Sequence, residues 1–162
     1  MAEHKAVILI GSRSDLDFAT SIIDSLKQFD AKCELRIASA HKTPRELLKI
    51  LEGYERSEIQ IVYITVAGLS DALSGAVAGF TKFPVIACPP DSKKYGWTKV
   101  FSSMITPKGV SVLFAAEPSN AALAAAKILA LSDSSLQEKI IKYQQKKRKD
   151  VAEADKEIRE GC

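Results

Sequence analysis

The hydrophobic pattern of the chain predicts five β-strands. Five short segments are almost continuously apolar, and polar or glycine-containing stretches bound each of them. These segments are 6–11, 33–38, 59–67, 84–89 and 110–115. Because apolar residues occupy successive positions rather than alternate ones, both faces of each strand are expected to be buried, as in a parallel sheet covered by helices.

Segments with helical periodicity lie between and after these strands. Residues 14–29 repeat apolar side chains every three or four positions, and 43–54 opens with a Thr-Pro pair, which is typical of a helix N-terminus. The predicted helices 70–80 and 118–131 are rich in small residues, which permit close packing. The alternation of strand and helix predicts an α/β fold with right-handed crossovers.

The last predicted helix, 134–160, is long and mostly polar. Its few apolar side chains form a thin stripe, which comprises Leu136, Ile140, Tyr143, Val151, Ala154 and Ile158. Such a helix is poorly stabilised alone, so we expect it to pack on a neighbouring subunit. The basic residues at 146–149 are followed at once by acidic ones, which favours a solvated helix face over a nucleic-acid site.

The composition indicates one domain over residues 1–162. The chain is 46% hydrophobic and 27% charged, and its net charge of +3 gives no strong bias toward nucleic acids or membranes. No apolar run approaches the roughly 20 residues that span a bilayer. The N-terminus lacks the apolar block of a signal peptide, so a cytoplasmic protein is expected.

The cysteines and histidines limit the chemistry that the chain can perform. Cys33, Cys88 and Cys162 are widely spaced and form no zinc-binding pattern, so reduced thiols are expected, two of them buried and Cys162 in a loose tail. Of the two histidines, His4 is expected at the surface of a frayed N-terminus. His41 is therefore the candidate for acid–base chemistry.

Three loops follow the first three predicted strands, and folds of this class bind ligands beyond the carboxyl ends of their strands. In the first loop, Gly11 permits a tight turn, and Ser12 and Ser14 offer hydroxyl groups beside the free N–H groups of a helix start. This arrangement suits a phosphate group, and the alternative is a plain N-cap turn.

The second loop places Lys42 beside His41, with Ser39 two residues earlier. An imidazole exchanges protons near neutral pH, and an ammonium group neutralises a phosphate or a carboxylate. The alternative is an ordinary loop with an incidental histidine. No second histidine or His/Glu cluster accompanies His41, so no metal site is expected.

The third loop, within the sequence AGLSDALSG, contains Gly68, Ser70 and small neighbours that leave room for a ligand. Pro89 and Pro90 follow the fourth strand and would stiffen a wall of the same cleft. The chain has neither a GxSxG elbow nor GxGxxG spacing. The loops together predict a compact pocket for a phosphorylated small molecule, with one acid–base group.

The ordered set GSRSD, SAHKTP, AGLSDALSG, PVIACPP and FSSMITPKGV resembles the aminoimidazole ribonucleotide carboxylase and mutase family of purine biosynthesis. The likeness extends from about residue 6 to residue 131. It implies a flavodoxin-like, three-layer αβα sandwich with a doubly wound sheet of five parallel strands and a long C-terminal helix. It also implies a homo-octamer with sites near subunit boundaries, and a reaction without biotin, metal or ATP.

Within this family, the sequence resembles the direct carboxylase branch more closely than the mutase branch. The mutase branch has a histidine where this chain has Ala72. The positions that match the carboxylase branch are Lys42, Ser70, Ala72, Leu73, Ser74, Gly75 and Cys88. The resemblance implies that the protein joins carbon dioxide to aminoimidazole ribonucleotide and forms carboxyaminoimidazole ribonucleotide. The alternatives are a mutase that rearranges the carbamate of this nucleotide, and a non-catalytic nucleotide-binding module.

The resemblance also implies roles for individual residues, with His41 as the proton carrier. The residues implied around the phosphate and ribose are Gly11, Ser12, Ser14 and Asp15. The residues implied around carbon dioxide and the new carboxylate are Gly68, Ser70 and Asp71. The remaining substrate-binding residues implied are Ser39, Ala40, Lys42, Ala67 and Leu69.

Three positions depart from the carboxylase branch. Leu69 and Ile105 stand where that branch has arginine, and Asp71 stands where it has asparagine. An ionised Asp71 in the pocket would repel a nascent carboxylate. We therefore expect Asp71 either to pair with Lys42 or to point away from the pocket.

Overall fold

The centre of the fold is a sheet of five parallel strands in the order β2-β1-β3-β4-β5. The computed structural model describes residues 3–90 and 96–161. The strands are β1 (His4–Ile10), β2 (Cys33–Ile37), β3 (Gln60–Val66), β4 (Val85–Ala87) and β5 (Leu113–Phe114). This order is that of a doubly wound, flavodoxin-like sheet, so the predicted fold class is confirmed.

Helices cover both faces of the sheet. They are α1 (Leu16–Lys27), α2 (Pro44–Glu55), α3 (Ala72–Phe80), α4 (Phe101–Met104), α5 (Pro118–Leu129) and α6 (Ser134–Glu160). Short 3-10 helices precede α1 at Arg13–Asp15 and α4 at Gly96–Val100. The sequence does not predict the turns over 96–104, because they are too short to show a helical repeat. Among the described residues, no helix has the length and apolar character needed to cross a membrane.

Alternate residues of the central strands enter two separate hydrophobic cores. Ala6, Ile8 and Ile10 of β1 belong to the core that includes side chains of α1 and α5. Val7 and Leu9 point to the other side and belong to the core that includes side chains of α2 and α3. Both faces of the strand are therefore buried, as its continuous apolar sequence predicts.

Small residues bring α5 close to its neighbours. Ala121, Ala122, Ala125 and Ala126 have no exposed surface and belong to the same core as the inner face of α1. Because alanine has no side chain beyond Cβ, the backbone of α5 lies close to α1 and to the sheet. This confirms the predicted close packing of the small-residue segment 118–131.

The long helix α6 is anchored only along its first turns. Leu136 and Ile140 are buried, and the ring of Tyr143 packs edge-on against Phe29 with 5.1 Å between the ring centroids. Further along the helix, the side chain of Val151 is 71% exposed. That α6 packs on a neighbouring subunit stays a prediction.

Two expectations about individual residues need correction. His4 is the first residue of β1, where it pairs with β3, and its Nε2 lies 2.8 Å from Oδ2 of Asp133, the N-cap of α6. The expectation of a frayed surface histidine is therefore wrong. Cys88 is buried as predicted, whereas Cys33 is only half-buried because it lies on the edge strand β2. Cys162 lies outside the described residues.

Candidate active site

A cleft of about 290 Å³ lies at the carboxyl ends of β1, β2 and β3. Its walls are the loops 11–15, 39–42 and 67–70, together with the first turn of α3. The chain runs to opposite sides of β1 to form β2 and β3, so this is the point in a doubly wound sheet where ligands bind. All of the residues predicted for the site line the cleft except Asp71, and Leu73 lines it in addition.

The first loop presents two neighbouring hydroxyl groups. The Gly11 N–H donates to the Val66 carbonyl over 3.0 Å, which fixes the start of this loop against the third loop. The Ser14 hydroxyl donates to the Ser12 hydroxyl over 3.0 Å, and the Ser14 N–H lies 3.4 Å from the same oxygen. Hydroxyl and N–H donors at the start of a helical segment suit the oxygens of a phosphate group.

Asp15 is the buried carboxylate of the cleft, with only 6% of its surface exposed. Burial raises the pKa of the Asp15 carboxyl above its ordinary value, whereas hydrogen bonds from the backbone of Ser12 and Gly68 and the charge of Lys99 oppose that rise. A Cβ atom on Gly68 would lie 2.7 Å from Asp15 Oδ1, so the carboxylate lies against a position that only glycine can occupy without a shift. A carboxylate in this position suits the hydroxyl groups of a ribose.

We expect Asp15→Asn to raise the melting temperature at pH 7. The raised pKa means that the ionised carboxyl is less favourable in the fold than in the unfolded chain, so stability is lost as the pH rises through the folded-state pKa. The increase in melting temperature over the wild-type protein should therefore become smaller as the pH falls toward the range in which the Asp15 carboxyl is protonated. Thermal melts between pH 4 and pH 8 measure this. The control Asp17→Asn removes an exposed carboxylate from the first turn of α1 and should give no gain. No gain in Asp15→Asn at pH 7 would contradict the account.

The second loop is closed by hydrogen bonds between its own ends. The Thr43 hydroxyl accepts from the Ser39 N–H over 2.9 Å, and the Ser39 hydroxyl accepts from the Lys42 N–H over 3.1 Å. The Thr43 hydroxyl makes no capping bond to α2, because it is engaged in this loop. The loop therefore carries His41 and Lys42 on a braced turn, with both side chains exposed at the cleft.

Asp71 points away from the cleft, which is one of the two arrangements expected for it; the other is a pair with Lys42. Its carboxylate is 3% exposed, caps α3 by accepting from the Ser74 N–H over 2.9 Å, and accepts from the Ser103 hydroxyl over 2.7 Å. The Asp71 N–H donates to the Ser102 hydroxyl over 3.0 Å. Asp71 thus fixes the third loop to α4, and its charge is turned away from the cleft.

The rest of the third loop leaves the cleft open on one side. Leu69 and Ser70 are exposed at its rim, and Leu69 is 64% exposed. The Pro90 ring would lie 3.8 Å from a Cβ on Gly68, so it supports that loop from behind. Ile105, the other position that departs from the carboxylase branch, is 74% exposed and does not line the cleft.

Two residues that line or support the cleft are not predicted from the sequence. Leu73 lines the cleft because the first turn of α3 brings it there, and its spacing within a small-residue helix gives no separate signal. Lys99 contacts the loop from a short 3-10 helix that the sequence does not predict. In residues 3–90 and 96–161, no three His, Cys, Asp or Glu side chains come together in a way that could hold a metal ion.

Comparisons with known proteins find close relatives over nearly the whole chain. The family model described as AIR carboxylase matches residues 5–150. A phosphoribosylaminoimidazole carboxylase of Archaeoglobus fulgidus is 48% identical over 96% of this chain and 85% of that protein. An N5-carboxyaminoimidazole ribonucleotide mutase of Methanocaldococcus jannaschii is 38% identical over 94% of this chain and 96% of that protein. The crystal structure of Treponema denticola PurE matches with a TM-score of 0.93 and 39% identity, over 96% of this chain and 98% of that one.

Proposed function

The chain belongs to the AIR carboxylase family, and we propose that it is an enzyme of purine biosynthesis that carboxylates aminoimidazole ribonucleotide directly with carbon dioxide. The observation that carries this proposal is the geometry of one cleft, in which His41 and Lys42 meet Ser12, Ser14 and Asp15. These residues supply, in order, a proton carrier, a cation, two phosphate-binding hydroxyls and a carboxylate for a sugar.

The cleft suits the three parts of a ribonucleotide. The phosphate would bind at Ser12 and Ser14, where hydroxyl and N–H donors lie together. The ribose hydroxyls would donate to Asp15, whose buried carboxylate repels a phosphate and so separates the two positions. The base would then lie toward the braced loop that carries His41, and the Lys42 ammonium group would balance the charge of the bound substrate.

The reaction needs one base at the right place. The ring of aminoimidazole ribonucleotide is enamine-like, so its carbon attacks carbon dioxide and a carbon–carbon bond forms. The same ring carbon must then lose its hydrogen as a proton, and the electron pair of that C–H bond restores the aromatic ring. His41 accepts this proton, and a positioned base of this kind contributes about a hundredfold or more to the rate.

The third loop provides the place for carbon dioxide. Gly68 and Ser70 leave room beside the cleft, and a small confined site gives the gas proximity to the ring carbon. Asp71 supports this assignment because its carboxylate is bonded to Ser74 and Ser103 and faces away from the cleft. The nascent carboxylate therefore avoids the repulsion that an aspartate in this loop would otherwise cause.

The choice of carboxylase over mutase rests on the third loop. Ala72 stands where the mutase branch has a histidine, and in the fold it begins α3 beside the cleft.

A test supplies purified protein either with aminoimidazole ribonucleotide and labelled bicarbonate, or with the carbamate of that nucleotide. We expect labelled carboxyaminoimidazole ribonucleotide from the first mixture, without ATP. Product from the carbamate alone would identify a mutase. Binding of the nucleotide without product from either mixture would identify a binding module, which the absence of arginine at Leu69 and Ile105 favours.

We further propose that the cytoplasmic enzyme is one catalytic domain that assembles into a homo-octamer. Support comes from large apolar side chains that are exposed in the single chain, among them Phe101, Met104, Ile105, Val151 and Ile158. Such side chains on α4 and on the second half of α6 suit burial between subunits. A sedimentation mass equal to that of one chain would contradict this assembly.

A further inference from the structure

Lys99 connects two of the loops that follow the strands of the sheet. It lies in the 3-10 helix Gly96–Val100, and its ammonium group donates to the Gly68 carbonyl over 3.4 Å and to the Pro90 carbonyl. Its own carbonyl accepts from the Ser102 hydroxyl over 2.7 Å, and that hydroxyl accepts from the Asp71 N–H. Both ends of the third loop are therefore held through this one residue.

We propose that Lys99 is a positioning residue of the cleft, whose ammonium group fixes Gly68, and through it the Asp15 carboxylate, against the loop that follows β4. This inference deepens the proposed function, because it assigns to Lys99 the placement of the group that would bind the ribose. The contact from Gly68 to Asp15 is close, since a Cβ on Gly68 would meet Asp15 Oδ1 at 2.7 Å. Any release of Gly68 is therefore transmitted to the carboxylate.

The charge of Lys99 adds to this mechanical role. Its positive charge acts on Asp15 and opposes the rise in the pKa of the carboxyl that burial causes. The neighbouring rim position is Leu69, where the carboxylase branch has an arginine. Lys99 thus supplies positive charge to the third loop from a different element. Unlike a rim arginine, it reaches the loop through backbone carbonyls and does not line the cleft.

Other titratable groups lie on the elements around Asp15. They are Arg13 and Asp17 beside it in the sequence, His41 and Lys42 after β2, Asp71 after β3 and Cys88 after β4. Burial raises the pKa of the Cys88 thiol to about 12, so this group stays neutral. An experiment on Lys99 must therefore change Lys99 and Asp15 alone and leave these groups in place.

The test compares Lys99→Met, Lys99→Arg and Lys82→Met. We expect Lys99→Met to raise the KM for aminoimidazole ribonucleotide about tenfold, the effect of losing a charge-assisted hydrogen bond, with a smaller change in kcat. The acid limb of kcat/KM should move to higher pH, because Asp15 would lose the cation that favours its ionised form. Lys99→Arg keeps the charge and the donors and should restore most of the KM. Lys82→Met is the matched control. Lys82 lies just before β4, at the opposite end of the sheet from the cleft, and its ammonium group also donates to a backbone carbonyl, that of Glu55.

A second readout does not depend on turnover. Thermal unfolding of Lys99→Met, Asp15→Asn and the double variant at pH 7 should be non-additive, with Lys99→Met costing less stability when Asp15 is already neutral. Additive effects together with an unchanged KM would overturn the role of Lys99, as would an equal rise in KM in Lys82→Met. If the wild-type protein turns over no nucleotide, the proposed function fails. The unfolding cycle alone then decides whether Lys99 acts on Asp15.

Discussion

Replacement of His41 by asparagine is expected to reduce kcat for carboxylation by about a thousandfold, the contribution of a positioned general base. His41 faces the cleft from the loop after β2 and is the histidine available to take the ring proton there. Asparagine keeps a polar side chain but cannot exchange protons near neutral pH. Because His41 is exposed on a loop that Ser39 and Thr43 brace, the substitution should leave the fold and the affinity for the nucleotide nearly unchanged.

His4→Asn is the matched control for this prediction. His4 lies at the start of β1, at the opposite end of the strand, and bonds to Asp133. Its replacement should lower the melting temperature through the loss of that bond, and leave kcat close to the wild-type value. Initial rates at saturating substrate and calorimetric binding of the nucleotide separate the two effects. A His41→Asn variant that keeps more than a tenth of the wild-type kcat would contradict the role of His41.

Gly68→Ala is expected to reduce kcat/KM about a hundredfold, because a displacement of about 1 Å in a reacting site costs this much. The new Cβ would lie 2.7 Å from Asp15 Oδ1 and 3.7 Å from Asp15 Cγ. The Asp15 carboxylate is buried and bonded to the backbone of Ser12 and Gly68, so it cannot move without losing those bonds. The main effect should appear as a raised KM, since the displaced carboxylate is the group proposed to bind the ribose.

Gly53→Ala provides the control for a glycine replaced in open space. A Cβ at Gly53 meets nothing within 4 Å, and this residue lies inside α2, where alanine favours the helix over glycine by about 0.5–1 kcal/mol. Gly53→Ala should therefore be slightly more stable than the wild-type protein and equally active. If Gly68→Ala keeps its kcat/KM within threefold of wild type, the contact between Gly68 and Asp15 has no part in binding.

The sheet and its main helices follow from local sequence patterns. Continuous apolar runs predict β1 and β3, whose residues are buried on both faces, and the Thr-Pro pair at 43–44 marks the start of α2. The prediction is too long for the last strand, which spans Leu113–Phe114 rather than 110–115. As an edge strand, β5 has one neighbour, β4, to set its length, and β4 is itself only Val85–Ala87.

The three loops that line the site are predictable because each of them directly follows a strand, whereas Asp15, Ala40 and Leu69 are implied only by the family resemblance. The direction of Asp71 and the role of Lys99 are not predictable, since both depend on contacts between distant parts of the chain. Asp71 is 32 positions from Ser103, and Gly68 is 31 positions from Lys99. The loop sequence shows that a carboxylate is present, but the Ser103 hydroxyl that holds it away from the cleft belongs to α4.

A crystal structure of the protein with aminoimidazole ribonucleotide bound would show whether His41 faces the ring carbon that reacts. We expect the phosphate within hydrogen-bond distance of the Ser12 and Ser14 hydroxyls, the ribose on Asp15, and the ring carbon that gains the carboxylate facing the imidazole of His41. The proposed role of His41 is contradicted if the nucleotide occupies another part of the surface, or if it binds in the cleft with that ring carbon directed away from His41.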